Sequence, residues 1–342
     1  MIGSNQMTTP LTSFFVPFLI FFLFLLEGCN FEKEASKNFS VGLLTPGSVN
    51  DGGWNQGAFE GLQNIETVLN ARTSHVETRS PAEFEEVFRG YAADGYDLVF
   101  GHGFEYQEAA ARAGKDFPET IFITTSGNTV LENVAPMVFR LEEATFLCGL
   151  LGARLSTTGM IGMVGGIDLP SIRSTFDAFA HGAKTGRPDI ETREVFIGNF
   201  DDSAAAKEAA RALLSAGADF LIHQANDAGR GVFDALADRD ETDPIYACGT
   251  NRDQSLLSPS VVIASATLDI PTAFLKLARE VLSGNFVAEP LLLGMSDGVV
   301  DFVWNNNLAA NIESEIKFDL EVAKEKIRSG HISISNVKAL GD

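Results

Sequence analysis

The residues that could do chemistry gather in one stretch, 41–56, where Asp51, Trp54 and Asn55 stand around the pair Gly52-Gly53. A carboxylate and an amide can read the hydrogen-bonding edge of a small molecule, and an indole can lie flat against a ring. Val41, Leu43 and Leu44 form a short apolar run suited to a buried parallel strand, which Pro46 and Gly47 end. Asn50 and Asp51 are N-cap residues for a helix carrying Ala58, Leu62, Ile65 and Leu69 at helical spacing. The loop between them presents free backbone N–H groups, an acid, an aromatic ring and an amide at the carboxyl end of a strand. In an open α/β sheet that is where ligands bind. The competing reading leaves Asp51 as a cap and Trp54 as packing; a tryptophan beside two glycines at a strand–helix junction favours a ligand platform.

The elements that must position this loop follow by alternation. Strands are expected at 74–78, 97–101 and 120–125, with helices over Pro81–Ala93 and 105–117. A second cycle begins near Arg140. Its helices are expected over Glu142–Leu155, 171–184, Ser203–Ser215 and 231–237, and its strands at 159–166, 194–198, 219–224, 245–249 and 261–265. The fold class is therefore α/β, with two doubly wound parallel-sheet lobes and a cleft between them. Polar residues or glycine stand at the strand exits, among them His102, Ser126, Asn199, Asn226, Asn251 and Asp253. Any α/β fold places turn and cap residues there, so their number does not identify a function.

The chain has 342 residues and a formal charge of −21, which argues against a nucleic-acid surface. Its three cysteines include no CxxC and its five histidines are scattered, so neither a metal site nor another cofactor is expected. Cys148 and Cys248 read as buried thiols, with a disulfide between them left open. Residues 14–26 are a solid apolar run, shorter than the roughly 20 residues of a bilayer span and suited to a secretory signal. Leu26-Glu-Gly-Cys29 after it resembles a lipobox. Glu27 and the absence of Lys or Arg before Phe14 depart from that pattern, and an uncleaved anchor helix is the alternative. The division expected is a signal peptide at 1–28, a lipidated tether at 29–38, a first lobe from 39–140 plus 266–295, and a second from 141–265 plus 296–338.

Asp-Gly-Gly-Trp-Asn-Gln at 51–56 is similar to the Asp-x-Ser-Phe-Asn-Gln signature of the basic membrane protein family of substrate-binding lipoproteins. The likeness continues through residues 97–104, 146–150, 161–166, Phe176, Gly182-Ala-Lys184, 200–202, Gly229-Arg-Gly231, Asp297-Gly-Val299 and 326–330. It implies a type I periplasmic-binding-protein fold whose lobes close about a hinge near Arg140, Ser265 and Ser296. It also implies the receptor role in an ABC importer, with a permease as partner, a purine nucleoside or base as ligand, a monomeric state, and a lipid anchor at Cys29 on the outer face of a bacterial membrane. By position, Trp54 and Phe176 would stack on the base, Asp51 and Asn55 would meet its edge or the ribose, and Gly198 and Asn226 would line the far lobe. Phe104 and Asp253 complete the implied site. At three ligand positions the chain departs from the family: Ser126 and Asn251 replace carboxylates and Thr267 replaces a lysine. A charged hydrogen bond is worth about 1.5–3 kcal/mol, so these changes bear on which ligand fits.

Two other classes are weighed against this one. An enzyme on the same sheets would need a dinucleotide fingerprint, a P-loop or a nucleophile elbow, and none is present. A surface lipoprotein with a sensory or adhesive role could use the same fold, as could a receptor for a non-purine polar ligand. No helix-turn-helix precedes Val41, which disfavours a repressor.

Overall fold

The computed structural model describes residues 38–239 and 245–334. The signal, Cys29 and nearly all of the tether lie outside them. In chain order the elements are β1 (Ser40–Thr45), α1 (Trp54–Leu69), β2 (Arg72–Glu77), α2 (Pro81–Ala93), β3 (Leu98–Gly101), α3 (Gln107–Asp116), β4 (Ile121–Thr125) and β5 (Val134–Phe139). Then come α4 (Glu142–Leu155), β6 (Met160–Gly165), α5 (Pro170–Gly186), β7 (Glu191–Phe196), α6 (Ser203–Ser215), β8 (Phe220–Gln224), α7 (Arg230–Ala237) and β9 (Tyr246–Asn251). The chain continues with β10 (Val262–Leu268), α8 (Ile270–Leu282), β11 (Leu291–Leu293), β12 (Val300–Trp304), α9 (Asn306–Ala309) and α10 (Ser314–Arg328).

These strands form two six-stranded sheets, in the orders β11-β5-β4-β3-β1-β2 and β12-β10-β9-β8-β6-β7. The first is parallel throughout; in the second only β12 runs antiparallel. Central strands are buried on both faces, which is why β1 and β3 read as unbroken apolar runs. In the first lobe, Leu62 and Ile65 of α1 and Phe274 of α8 cover one face, and Phe84, Phe88 and Tyr106 the other. In the second lobe α4 and α5 pack on one face, while Leu213, Leu214 and Phe233 fill the opposite side.

The alternating type I architecture is present; the elements after β10 were not among those expected, and three of the others differ. Strand β7 covers 191–196 rather than 194–198: it is an edge strand, largely exposed, so its apolar run does not mark its register. Strand β5 contains Pro136, which argues against a central strand, yet it pairs with β4 and β11. Strand β10 stays in the second sheet as far as Leu268. The chain therefore passes between sheets at Phe139–Glu142, at Leu268–Ile270 and between Leu293 and Val300, the second crossing lying beyond Ser265. Cys148 and Cys248 are both free and buried, and burial together with the neighbouring Cys148 thiol pushes Cys248 up.

Candidate functional site

Asp51 shapes the loop after β1. Its carboxylate oxygens accept the backbone N–H groups of Gly53 (2.9 Å), Asn55 (2.9 Å) and Gln56 (3.1 Å), so it holds the start of α1 and is only 2% exposed. Burial raises its carboxyl despite these three donors. Asp51 thus acts as a cap: three backbone donors occupy most of its acceptor sites, and it is buried away from the cavity lining. Asn55 is buried behind the same loop, with Oδ1 lacking a hydrogen-bond partner.

The cap delivers Trp54. The indole stacks on His102 from the exit of β3, with ring centroids 3.9 Å apart and planes 24° from parallel, and it meets Phe139 edge-on at 5.9 Å. His102 Nε2 lies 3.0 Å from the Trp54 carbonyl. Burial lowers the imidazole to about 3, so a neutral ring supports the indole.

Trp54 borders a cavity of about 150 Å³ between the sheets, room for a small molecule rather than a macromolecule. Phe104, Ser126, Asn226 and Asn251 also line it. Among the described residues four that are not glycine have positive φ, and three of them are Ser126 (63°), Asn226 (47°) and Asn251 (67°). Backbone in this region costs free energy and concentrates at functional sites. Here it turns three strand exits toward one space.

The other expected residues lie elsewhere. Phe176 is 2% exposed, packed against Phe196 in the second-lobe core, while Ile172 and Thr175 on the turn before it face the cavity. Phe200, in the loop after β7, supplies the second-lobe ring instead. Gly198 (φ 82°) makes the turn after β7 and does not line the space. Asp253 is exposed and accepts the Ser255 N–H, and the Thr267 hydroxyl donates to the Asp301 carbonyl in the neighbouring strand. Sequence reading did not place Glu105, Glu142, Phe200 or Gln224 at the site. Of these, Glu142 had a readable signal: an acid opening an otherwise apolar helix.

Near the hinge two adjacent glutamates have different environments. Glu143 accepts the Met295 N–H at 2.6 Å and pairs with Arg140 at 3.0 Å, joining the first crossing to the third. Glu142 faces the cavity, and burial raises its carboxyl to about 7. On the cleft's lip, Arg252 pairs with Glu60 at 2.8 Å, Arg230 donates to the Asn50 carbonyl at 3.0 Å, and Gln254 to the Gly52 carbonyl at 3.4 Å. Each of these links the second lobe to the first.

The profile of the Bmp family, described as ABC transporter substrate-binding proteins, PnrA-like, matches residues 39–338. The chain belongs to this family. It is similar to the "ABC transporter nucleoside-binding protein BmpA" of Lactococcus lactis, 27% identical over 84% of this chain and 86% of the relative. It is equally similar to the "Transcriptional activator protein med" of Bacillus subtilis, 27% identical over 82% of this chain and 86% of that one. A solved ABC-transporter solute-binding protein from Aeropyrum pernix shares the fold, with a TM-score of 0.78 at 22% identity, covering 86% of this chain and 92% of the other. Among the described residues no helix is long and apolar enough to cross a membrane.

Proposed function

We propose that this Bmp-family protein is the ligand-capturing receptor of an ABC importer, tethered to the cell envelope through a lipid on Cys29, and that its ligand is a purine nucleoside or nucleobase. The observation that carries the ligand class is Trp54, whose ring is backed by a neutral imidazole and borders the cavity. A flat heteroaromatic ligand on that platform gains about 0.5–1.5 kcal/mol beyond its buried area. Phe104, Phe139 and Phe200 add apolar walls, and Ser126, Asn226 and Asn251 supply polar groups to orient the rest of the molecule. The nucleoside-binding relative supports the same ligand.

The mechanism follows from the three crossings. Ligand touching both lobes gains contacts only when they are together, so it shifts the population toward the closed form, which the permease reads. A thermal-shift screen tests the reading on protein unfolded and refolded to strip carried ligand. Ligand bound only to the native state raises stability by RT ln(1 + [L]/Kd). A dose-dependent rise with purine compounds, absent with pyrimidines, sugars and amino acids, is expected. A folded protein that shifts with no purine contradicts it.

A further inference from the structure

Two acids on the cavity wall have few partners within the fold, each accepting its own backbone N–H. Glu105 stands in the turn after β3, and Glu142 opens α4; both line the cavity. Glu142 is 6% exposed, and the nearest cation, Arg140, is 4.0 Å away, too far for a hydrogen bond. That guanidinium is engaged by Glu143 instead. Glu105 folds back beside Gly103, where its carboxyl accepts only its own backbone N–H. Burial raises both carboxyls. An acid held in a cavity wall with few partners is costly, and a ligand that enters the cavity can supply further ones. The other polar groups lining it are hydroxyls and amides, and among the described lining residues Arg140 is the only cation.

We propose that Glu105 and Glu142 are a donor-recognition pair: they accept hydrogen bonds from hydroxyl, amino or ring N–H groups of an uncharged or cationic ligand and reject ligands bearing a phosphate or carboxylate. The proposal rests on the receptor reading above and deepens it, since it makes the ligand a nucleoside or base and excludes the nucleotide. Bringing a phosphate against these two acids, Glu142 buried and Glu105 half-buried, adds like-charge repulsion and desolvation, with no free cation in the cavity to offset it.

Calorimetric titration of the ligand-stripped protein at pH 8, above the value of about 7 to which burial raises Glu142, tests this with the acid ionised. Adenosine, guanosine, adenosine monophosphate, glucose, glucose phosphate and spermidine are compared on wild type, Glu105→Gln and Glu142→Gln. The nucleosides are expected to bind, and the monophosphate to bind at least about 100-fold more weakly. Each glutamine variant is expected to weaken nucleoside binding by about tenfold. Without ligand, Glu142→Gln is expected to melt higher than wild type at pH 8, since no buried carboxyl must then ionise. An acid with a purely structural role would lower melting and leave affinity unchanged.

A monophosphate bound as tightly as its nucleoside overturns the proposal without recourse to any variant. Glutamine variants with undiminished affinity overturn it too. If no purine binds but glucose or spermidine does, with glucose phosphate rejected and affinity lost in Glu142→Gln, the purine assignment falls and the donor pair stands. Binding of none of these compounds overturns both.

Discussion

Trp54 separates a ligand platform from a core residue by how its removal divides between binding and stability. The ring is half-buried, stacked on His102 and bordering the cavity. Trp54→Ala is expected to weaken ligand binding by about 1.5–3 kcal/mol, the loss of a ring's burial plus its stacking. Its cost to the ligand-free protein should be nearer about 1 kcal/mol, because the ring is only half-buried and its aromatic contacts are one stacked and one edge-on. Titration and urea unfolding of the same variant measure the two. The pH dependence is also set by single residues. Burial lowers His102 to about 3 and His223 to about 4, so between pH 6.5 and 4 the unfolded chain takes up protons that the folded chain refuses. Stability therefore falls on acidification through that window. Glu142, raised to about 7, acts oppositely between pH 7 and 4.5, where the folded state holds the extra proton. Glu142→Gln should accordingly lose stability more steeply than wild type from pH 7 to pH 5, by up to about 1.4 kcal/mol per pH unit. Unfolding midpoints across that range check the sign. Trp54 was legible in the sequence because its neighbours, two glycines at a strand exit, are unusual. Phe176 was not separable from Thr175 by sequence: a shift of one residue on a helix turns a side chain from cavity to core.

At the scale of elements, the tightest constraint is the packing of α4 on α5. A Cβ on Gly149 would strike the Phe179 carbonyl, and one on Gly182 the Phe146 carbonyl, so the helices meet backbone to backbone. Gly149→Ala or Gly182→Ala must part them, costing about 3 kcal/mol, the upper end for overpacking. Equilibrium unfolding checks this, and a cost below about 1 kcal/mol would contradict the close approach. The same packing fixes Glu142 and Ile172, which flank the cavity from the first turns of these helices. Most elements of the two cycles were readable, because buried parallel strands and amphipathic helices leave distinct patterns. The positive φ of Ser126, Asn226 and Asn251 was not, since serine and asparagine at a strand exit suit ordinary turns equally well. Strand β5 hides behind Pro136, and β11 is too short for a pattern.

For the whole molecule, the central matter is closure. The Arg252–Glu60 pair and the Arg230 contact with the Asn50 carbonyl hold the lip together across the cleft. Both arginines are partly exposed, so each contact is worth only about 0–1 kcal/mol, a bias rather than a lock. An Arg230→Ala/Arg252→Ala variant should have a larger scattering radius without ligand and recover the wild-type radius when nucleoside is added. An unchanged radius would show that the lip contacts do not set the balance. Two α/β halves and a cleft could be inferred from the sequence, whereas the lip contacts join residues far apart in the chain and leave no local pattern. The measurement closest to the central claim uses the chain's two tryptophans, Trp54 and Trp304. With Trp304→Phe as background, fluorescence reports Trp54 alone. Adenosine or guanosine titrated into ligand-stripped protein should change that signal saturably with one site per chain, while glucose leaves it flat. A folded protein whose Trp54 emission responds to no purine would contradict the account.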